Sequence, residues 1–216
     1  VDANLRHFLT IVLPVERQHT RGLRDDEFLV LREDDLGKVA KTDVVQTPQA
    51  ALQQVPDRMQ LTVVMDNLRS AFNVGSIFRT AECLSATRLV LCGYTATPDD
   101  SKGQTGRAAM GADTNMPWEH KERAADAIKE LANQGIPVFA LETVQGAESV
   151  HNITFPQPCA LLLGNERHGI EADLLELCHK PIVQIPCMGV KNSLNVGVAF
   201  AICGYEILRQ WRASPT

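Results

Sequence analysis

The chain has 216 residues, of which 44% are hydrophobic, 22% charged and 5% aromatic, enough to bury a sizeable core without disulfide or metal support. Lysine and arginine total 21 against 26 acidic residues, a formal charge of −5; this excludes a generally basic, histone-like nucleic-acid binder and confines any nucleic-acid site to a local patch. No apolar run approaches the roughly 18 to 20 residues that cross a bilayer, and the six cysteines, Cys83, Cys92, Cys159, Cys178, Cys187 and Cys203, form no CxxC pair. That usage predicts reduced, mostly buried thiols in a soluble, cytoplasmic protein.

Residues 1–58 mix short apolar clusters with charged ones such as Arg24-Asp25-Asp26-Glu27 and hold no continuous strand-like run, which predicts a short, mostly helical N-terminal extension. From residue 59 to 216 the texture changes. Short continuous apolar runs at Leu61–Met65, Arg88–Cys92, Pro137–Leu141, Ala160–Leu163 and Ile182–Ile185 suit strands buried on both faces. Between and after them, helical spacing predicts helices over Val74–Leu84, Arg123–Ala132, Ala172–Cys178 and Leu194–Trp211, the last with Val196, Ala199, Phe200, Cys203, Ile207 and Trp211 on one face. Alternation of strand and helix predicts an α/β domain with a mainly parallel sheet. Thr95–Trp118 has no clear period and reads as a long loop.

In an open parallel sheet, ligands bind beyond the carboxyl ends of the strands, where loops meet helix N-termini. Three such loops are rich in Gly, Asn, Ser and charge: Asp66 to Arg79, Gly164 to Ile170, and Pro186 to Val196. Each taken alone is also what a helix cap or turn needs. Several chemistries are excluded by spacing. Gly164 and Gly169 have P-loop spacing, but Ile170-Glu171 follows where Lys-Ser/Thr is required, and no GxGxxG follows a strand. The isolated Cys178-His179 pair and scattered histidines predict no metal site, and no GxSxG elbow is present.

Together the three loops resemble the signature motifs of the SpoU/TrmH family of RNA ribose 2′-O-methyltransferases in the SPOUT superfamily. The first is Asn73-Val74-Gly75-Ser76-Ile77-Phe78-Arg79, the second Leu163-Gly164-Asn165-Glu166 with Gly169-Ile170, and the third Ile185-Pro186 followed by Ser193-Leu194-Asn195-Val196. The resemblance implies a C-terminal deep trefoil knot, S-adenosylmethionine as cofactor, an RNA substrate (transfer RNA ahead of ribosomal RNA), a homodimer with an active site formed across it, and no membrane or metal partner. The alternative within the same fold is an inactive RNA-binding protein.

Carried onto this sequence, the resemblance assigns Arg79, Asn73, Ser193, Asn195 and Glu166 to catalysis. It assigns Leu141, Glu142, Gly164, Ile185, Cys187, Met188, Ser193 and Leu194 to the cofactor. Gly164 would let backbone approach a ligand closely for want of a Cβ, and Ile185 and Leu194 would wall an adenine ring. A guanidinium, with an ordinary pKa above about 12, is a poor base; Arg79 is expected either to be activated by a neighbouring RNA phosphate or to clamp that phosphate. Glu166 would pair with Arg69 or Arg79, or stand as a carboxylate at a helix start. Arg69, Lys102, Arg107, Arg167 and Lys191 are the expected phosphate contacts. His168 is given no role.

Overall fold

A computed structural model of the chain describes residues 58–99 and 103–213. The expected N-terminal extension, apart from its last residue, and the expected phosphate contact Lys102 lie outside the described residues. In chain order the elements are β1 (Met59–Asp66), α1 (Ala71–Cys83), β2 (Ala86–Cys92), α2 (Gln104–Ala109), α3 (Ala112–Asn115), β3 (Trp118–Lys121), α4 (Ala124–Asn133), β4 (Val138–Leu141), β5 (Glu148–Ser149), a 3-10 turn (Val150–Asn152), β6 (Cys159–Leu163), α5 (Ala172–Leu177), β7 (His179–Gln184) and α6 (Val196–Ala213). The strands form one sheet in the order β3-β2-β1-β6-β4-β7-β5, and every neighbouring pair is parallel.

The apolar runs are continuous because both faces of the sheet are covered. Side chains alternate across a strand, so Val63, Met65, Leu161 and Leu163 join a core with Ile77 and Phe78 of α1 and Phe200, Cys203 and Ile207 of α6. Val64, Ala160 and Leu162 face the other way, onto Ala127, Ile128 and Leu131 of α4. Burying a side chain such as Phe78 or Phe200 contributes about 2 kcal/mol, which is why the long central strands and these helices read clearly as sequence.

The sheet edges and the expected long loop read less clearly. Thr95–Trp118 contains two short helices, α2 and α3. The reason is tertiary: a Cβ on Gly75 of α1 would lie 2.5 Å from Ala108 Cβ and 2.7 Å from Ala109 N, so α2 is held by direct approach to a bare backbone on α1. Strand β3, with the sequence Trp-Glu-His-Lys, carries no apolar run; Glu119 meets Arg88 at 3.2 Å and Lys121 meets Glu130 at 2.8 Å, so ion pairs with its neighbours cover this edge. Strand β7 begins at His179, earlier than expected, and includes Pro181. The Pro is tolerated because β5 pairs only with Val183 and Gln184 and the register with β4 shifts between the paired positions.

Candidate functional site

The strand order reverses between β1 and β6, and beyond the carboxyl ends of β4, β6 and β7 lies a cleft of about 600 Å³, the size range of small-molecule sites. Leu141, Leu163, Ile185 and Leu194 supply apolar wall, and the segments 164–170 and 192–195 supply most of the polar lining. Asn73, from the first turn of α1, also reaches it.

One chain of hydrogen bonds joins the three loops. Ser70 caps α1, its Oγ accepting from Asn73 N at 3.2 Å. A capping box would complete this cap with a carboxylate three residues on, bonded to the N-cap amide; here that position is Asn73, and the carboxylate comes instead from Glu166, 96 residues away. Glu166 Oε1 accepts from Ser70 N and Asn73 Nδ2, both at 3.0 Å, and Oε2 accepts from Arg69 N at 3.0 Å. Asn73 Oδ1 in turn accepts from Asn195 Nδ2 at 3.0 Å. Asn195 Oδ1 caps α6 by accepting from Gly197 N at 2.9 Å and Val198 N at 3.3 Å. Partial burial works to raise the Glu166 pKa, but the donors from Arg69, Asn73 and Ser70 outweigh it and hold the carboxyl below its ordinary range. Glu166 therefore makes no guanidinium pair of the expected kind: from its turn after β6 it meets Arg69 through the backbone amide, at the start of α1.

Of the expected cofactor residues, Leu141, Glu142, Gly164, Ile185, Cys187, Ser193 and Leu194 line the cleft. The Glu142 carboxylate also fastens the loop opposite, its Oε2 accepting from Ile170 N at 3.0 Å, while its Oε1 accepts from the next residue's amide, Thr143 N, at 2.8 Å. Met188 does not line it; its side chain is 96% exposed. Gly164 lines it, but a Cβ there would point at Ile170 Cγ1 and the Gly169 backbone, 2.5 and 2.7 Å away, so close packing of its own loop is what excludes a side chain. Among the expected catalytic residues, Asn73, Glu166, Ser193 and Asn195 meet at the cleft. Arg79 stays outside it, on the exposed side of α1, with Nη1 3.2 Å from Met110 Sδ in a separate depression beside α3.

Arg69, Arg107, Arg167 and Lys191 are exposed; Arg167 lines the cleft, while Arg107 bonds Gly103 O within its own helical turn at 3.3 Å. The organising role of Asn165 was not foreseen. Its Oδ1 accepts from Arg167 N and His168 N at 2.9 and 3.0 Å, and its Nδ2 donates to Asn67 O and Tyr94 Oη at 2.7 and 3.0 Å. An Asn after glycine in a turn was the available signal, but its distant partners were not. Among the described residues, no group of three or more His, Cys, Asp or Glu is placed to hold a metal, and no helix is long and apolar enough to cross a membrane.

Residues 60–205, the span holding all three loops, match the model of the SpoU rRNA Methylase family. The chain belongs to that family. It is 30% identical over 150 residues to a tRNA (guanosine(18)-2′-O)-methyltransferase of Escherichia coli K12, covering 69% of this chain and 63% of the relative, so that it spans just under two thirds of that protein's length. It is 31% identical over 184 residues to the 23S rRNA (guanosine(2553)-2′-O)-methyltransferase RlmP of Bacillus subtilis, covering 82% and 71%. Among solved structures, it resembles an AdoMet-bound rRNA methyltransferase from Sinorhizobium meliloti with a TM-score of 0.64 at 29% identity, over 73% of this chain and 59% of that one. It also resembles the TrmH/SpoU tRNA-modifying enzyme of A. aeolicus with a TM-score of 0.65 at 26% identity, over 76% and 83%.

Proposed function

We propose that this SpoU-family chain is an S-adenosylmethionine-dependent RNA methyltransferase acting on a ribose 2′-hydroxyl, with transfer RNA as substrate, in the cytoplasm. The observation that carries the reading is the hydrogen-bonded chain Glu166–Asn73–Asn195, which holds the three family loops at one cleft. Support for the cofactor comes from the cleft's donor set: Leu141, Ile185 and Leu194 form apolar wall for a flat ring, and the glycine-containing turn 164–170 presents backbone to it. Bound there, S-adenosylmethionine supplies an electrophilic methyl on a sulfonium sulfur.

This chain's own residues position the acceptor. Asn73 and Asn195 fix the loops that flank the cleft, and Ser193 places a hydroxyl on its rim. Such positioning is worth several orders of magnitude when it aligns an oxygen for in-line attack. Arg79 serves either as a clamp on an RNA phosphate that orients the ribose or as a phosphate-activated acceptor of the 2′-hydroxyl proton, and we assign it to the cleft of a second copy. Two observations support that assignment: Arg79 stands outside its own chain's cleft, and α6 presents Val198, Ile202 and Tyr205 to solvent as a second apolar stripe. The trefoil knot belongs to the same proposal; the chain leaving β6 crosses β4 and places β7 on its far side, a crossing consistent with a knotted carboxyl half.

Labelled S-adenosylmethionine incubated with total RNA from a strain lacking the chain, followed by separate recovery of transfer and ribosomal RNA, tests the reading. Label is expected as 2′-O-methyl nucleoside in transfer RNA; label in ribosomal RNA alone would replace the substrate, and no label would end the proposal. Arg79→Ala is expected to lower incorporation at least 100-fold with calorimetric cofactor affinity within about threefold. Near-normal incorporation would remove Arg79 from the mechanism.

A further inference from the structure

Tyr94 is a large aromatic side chain that the fold leaves 60% exposed while fixing its two ends. It follows β2 in a turn built by Gly93, whose φ of 61° suits glycine and whose missing Cβ leaves room for the Asn67 side chain. Asn67 Oδ1 accepts from Tyr94 N at 3.2 Å, and Asn67 Nδ2 is anchored to Asp66 Oδ1 at 3.1 Å. The next residue, Thr95, is buried; its Oγ1 accepts from Leu68 N at 3.0 Å and donates to Cys92 O at 2.7 Å. At the other end, Tyr94 Oη accepts from Asn165 Nδ2 at 3.0 Å, and Asn165 lines the cleft.

The ring is therefore held at both ends beside the cleft with its surface open to water, a preorganised platform with little rotamer freedom left to lose on binding. Two exposed arginines belong to the loops tied to it: Arg167 on the turn organised by Asn165, and Arg69 two residues after Asn67. An exposed, fixed ring beside a site for ribose chemistry fits the flat face of a nucleobase, with the arginines of the adjoining loops available to its phosphates.

We propose that Tyr94 is the stacking platform for a base of the substrate RNA, adjacent to the nucleotide being methylated. The inference rests on the RNA-methyltransferase reading and adds a substrate-binding residue outside its three loops. Stacking tolerates any base, so Tyr94 sets affinity and position and leaves base identity to other contacts.

The test uses the full chain, total RNA from a strain lacking it, and labelled S-adenosylmethionine, with Tyr94→Ala, Tyr94→Phe and Tyr94→Trp. Alanine substitution of a stacking residue costs on the order of tenfold in affinity. Tyr94→Ala should raise KM for RNA by about that factor with kcat and calorimetric cofactor affinity little changed, and Tyr94→Phe and Tyr94→Trp should restore KM. Three results overturn the proposal: an unchanged KM in Tyr94→Ala; a Tyr94→Phe as impaired as Tyr94→Ala, which would assign the effect to the hydroxyl bond with Asn165; or weakened cofactor binding in all three variants, which would assign it to the shape of the cleft. An unsubstituted protein that binds neither cofactor nor RNA would refute the underlying reading and this inference with it, an outcome seen before any variant is made.

Discussion

Glu166 performs two tasks with one carboxylate: it completes the cap of α1 and, through Asn73, ties that helix to the cap of α6. Its folded pKa is depressed, so its contribution to stability is complete above the unfolded value near 4.3 and is lost as pH falls through the folded value. Glu166→Gln removes one acceptor facing three N–H donors. Because the side chain is largely exposed, the expected loss is only about 1 kcal/mol. Urea denaturation of both proteins should give a gap that is constant from pH 7 to pH 5 and closes below about pH 4. A gap that widens on acidification would mean that Glu166 is not held ionised by these donors.

Helix α6 has two apolar faces with different fates. Phe200, Cys203 and Ile207 are fully buried against the sheet, the inward face that its three-and-four spacing predicts. Val198, Ile202 and Tyr205, also at helical spacing, are 50%, 38% and 51% exposed, and no described element of this chain covers them fully. On the reading that a second copy does, Ile202→Glu places a charge where the partner's apolar surface would pack. Sedimentation velocity should then report a monomer whose thermal midpoint is lowered by only a few degrees, with methyl incorporation at background. A persisting dimer would move the interface to another face.

Taken as a molecule, the protein separates its cysteines by depth. Cys92, Cys159, Cys178 and Cys203 are buried, Cys83 is exposed and Cys187 is intermediate. Burial pushes the Cys92, Cys159 and Cys178 thiols up to about 12 and raises Cys203 as well. The thiolate is the reactive form, so Ellman's reagent at pH 8 should titrate Cys83 and Cys187 quickly and the remaining four only after denaturation. Four or more fast thiols in the native protein would show that the sheet is not covered on both faces. On a chain of net charge −5, Arg167 lines the cleft while Arg69 and Lys191 are exposed on the other two polar loops, so net charge does not describe the local charge there.

The central strands, α1, α4 and α6 were legible because burial on both faces of a parallel sheet leaves an unbroken apolar run, and a helix against it leaves a three-and-four stripe; both are local patterns. The three polar loops were legible for the same reason, as sudden changes of composition where strands stop. Strand β3, helix α2 and the starting point of β7 were not, because ion pairs to a neighbouring strand and helix, the bare backbone of Gly75 and an unpaired strand edge hold them, and none leaves a periodic trace. Within the cleft, sequence supplied Asn73, Glu166, Ser193 and Asn195 as a set but not their connections: the partner of a carboxylate 96 residues away depends on which strands lie side by side. The same holds for Gly164, whose neighbour is its own loop, for Tyr94 and Asn165, whose hydroxyl and amide meet across 71 residues, and for Arg79, set on α1 away from the cleft. Short-range pattern decides which segments become strand, helix and loop; the pairing order of a parallel sheet decides which loops meet, because every one of its connections is a crossover to a strand that sequence distance does not predict.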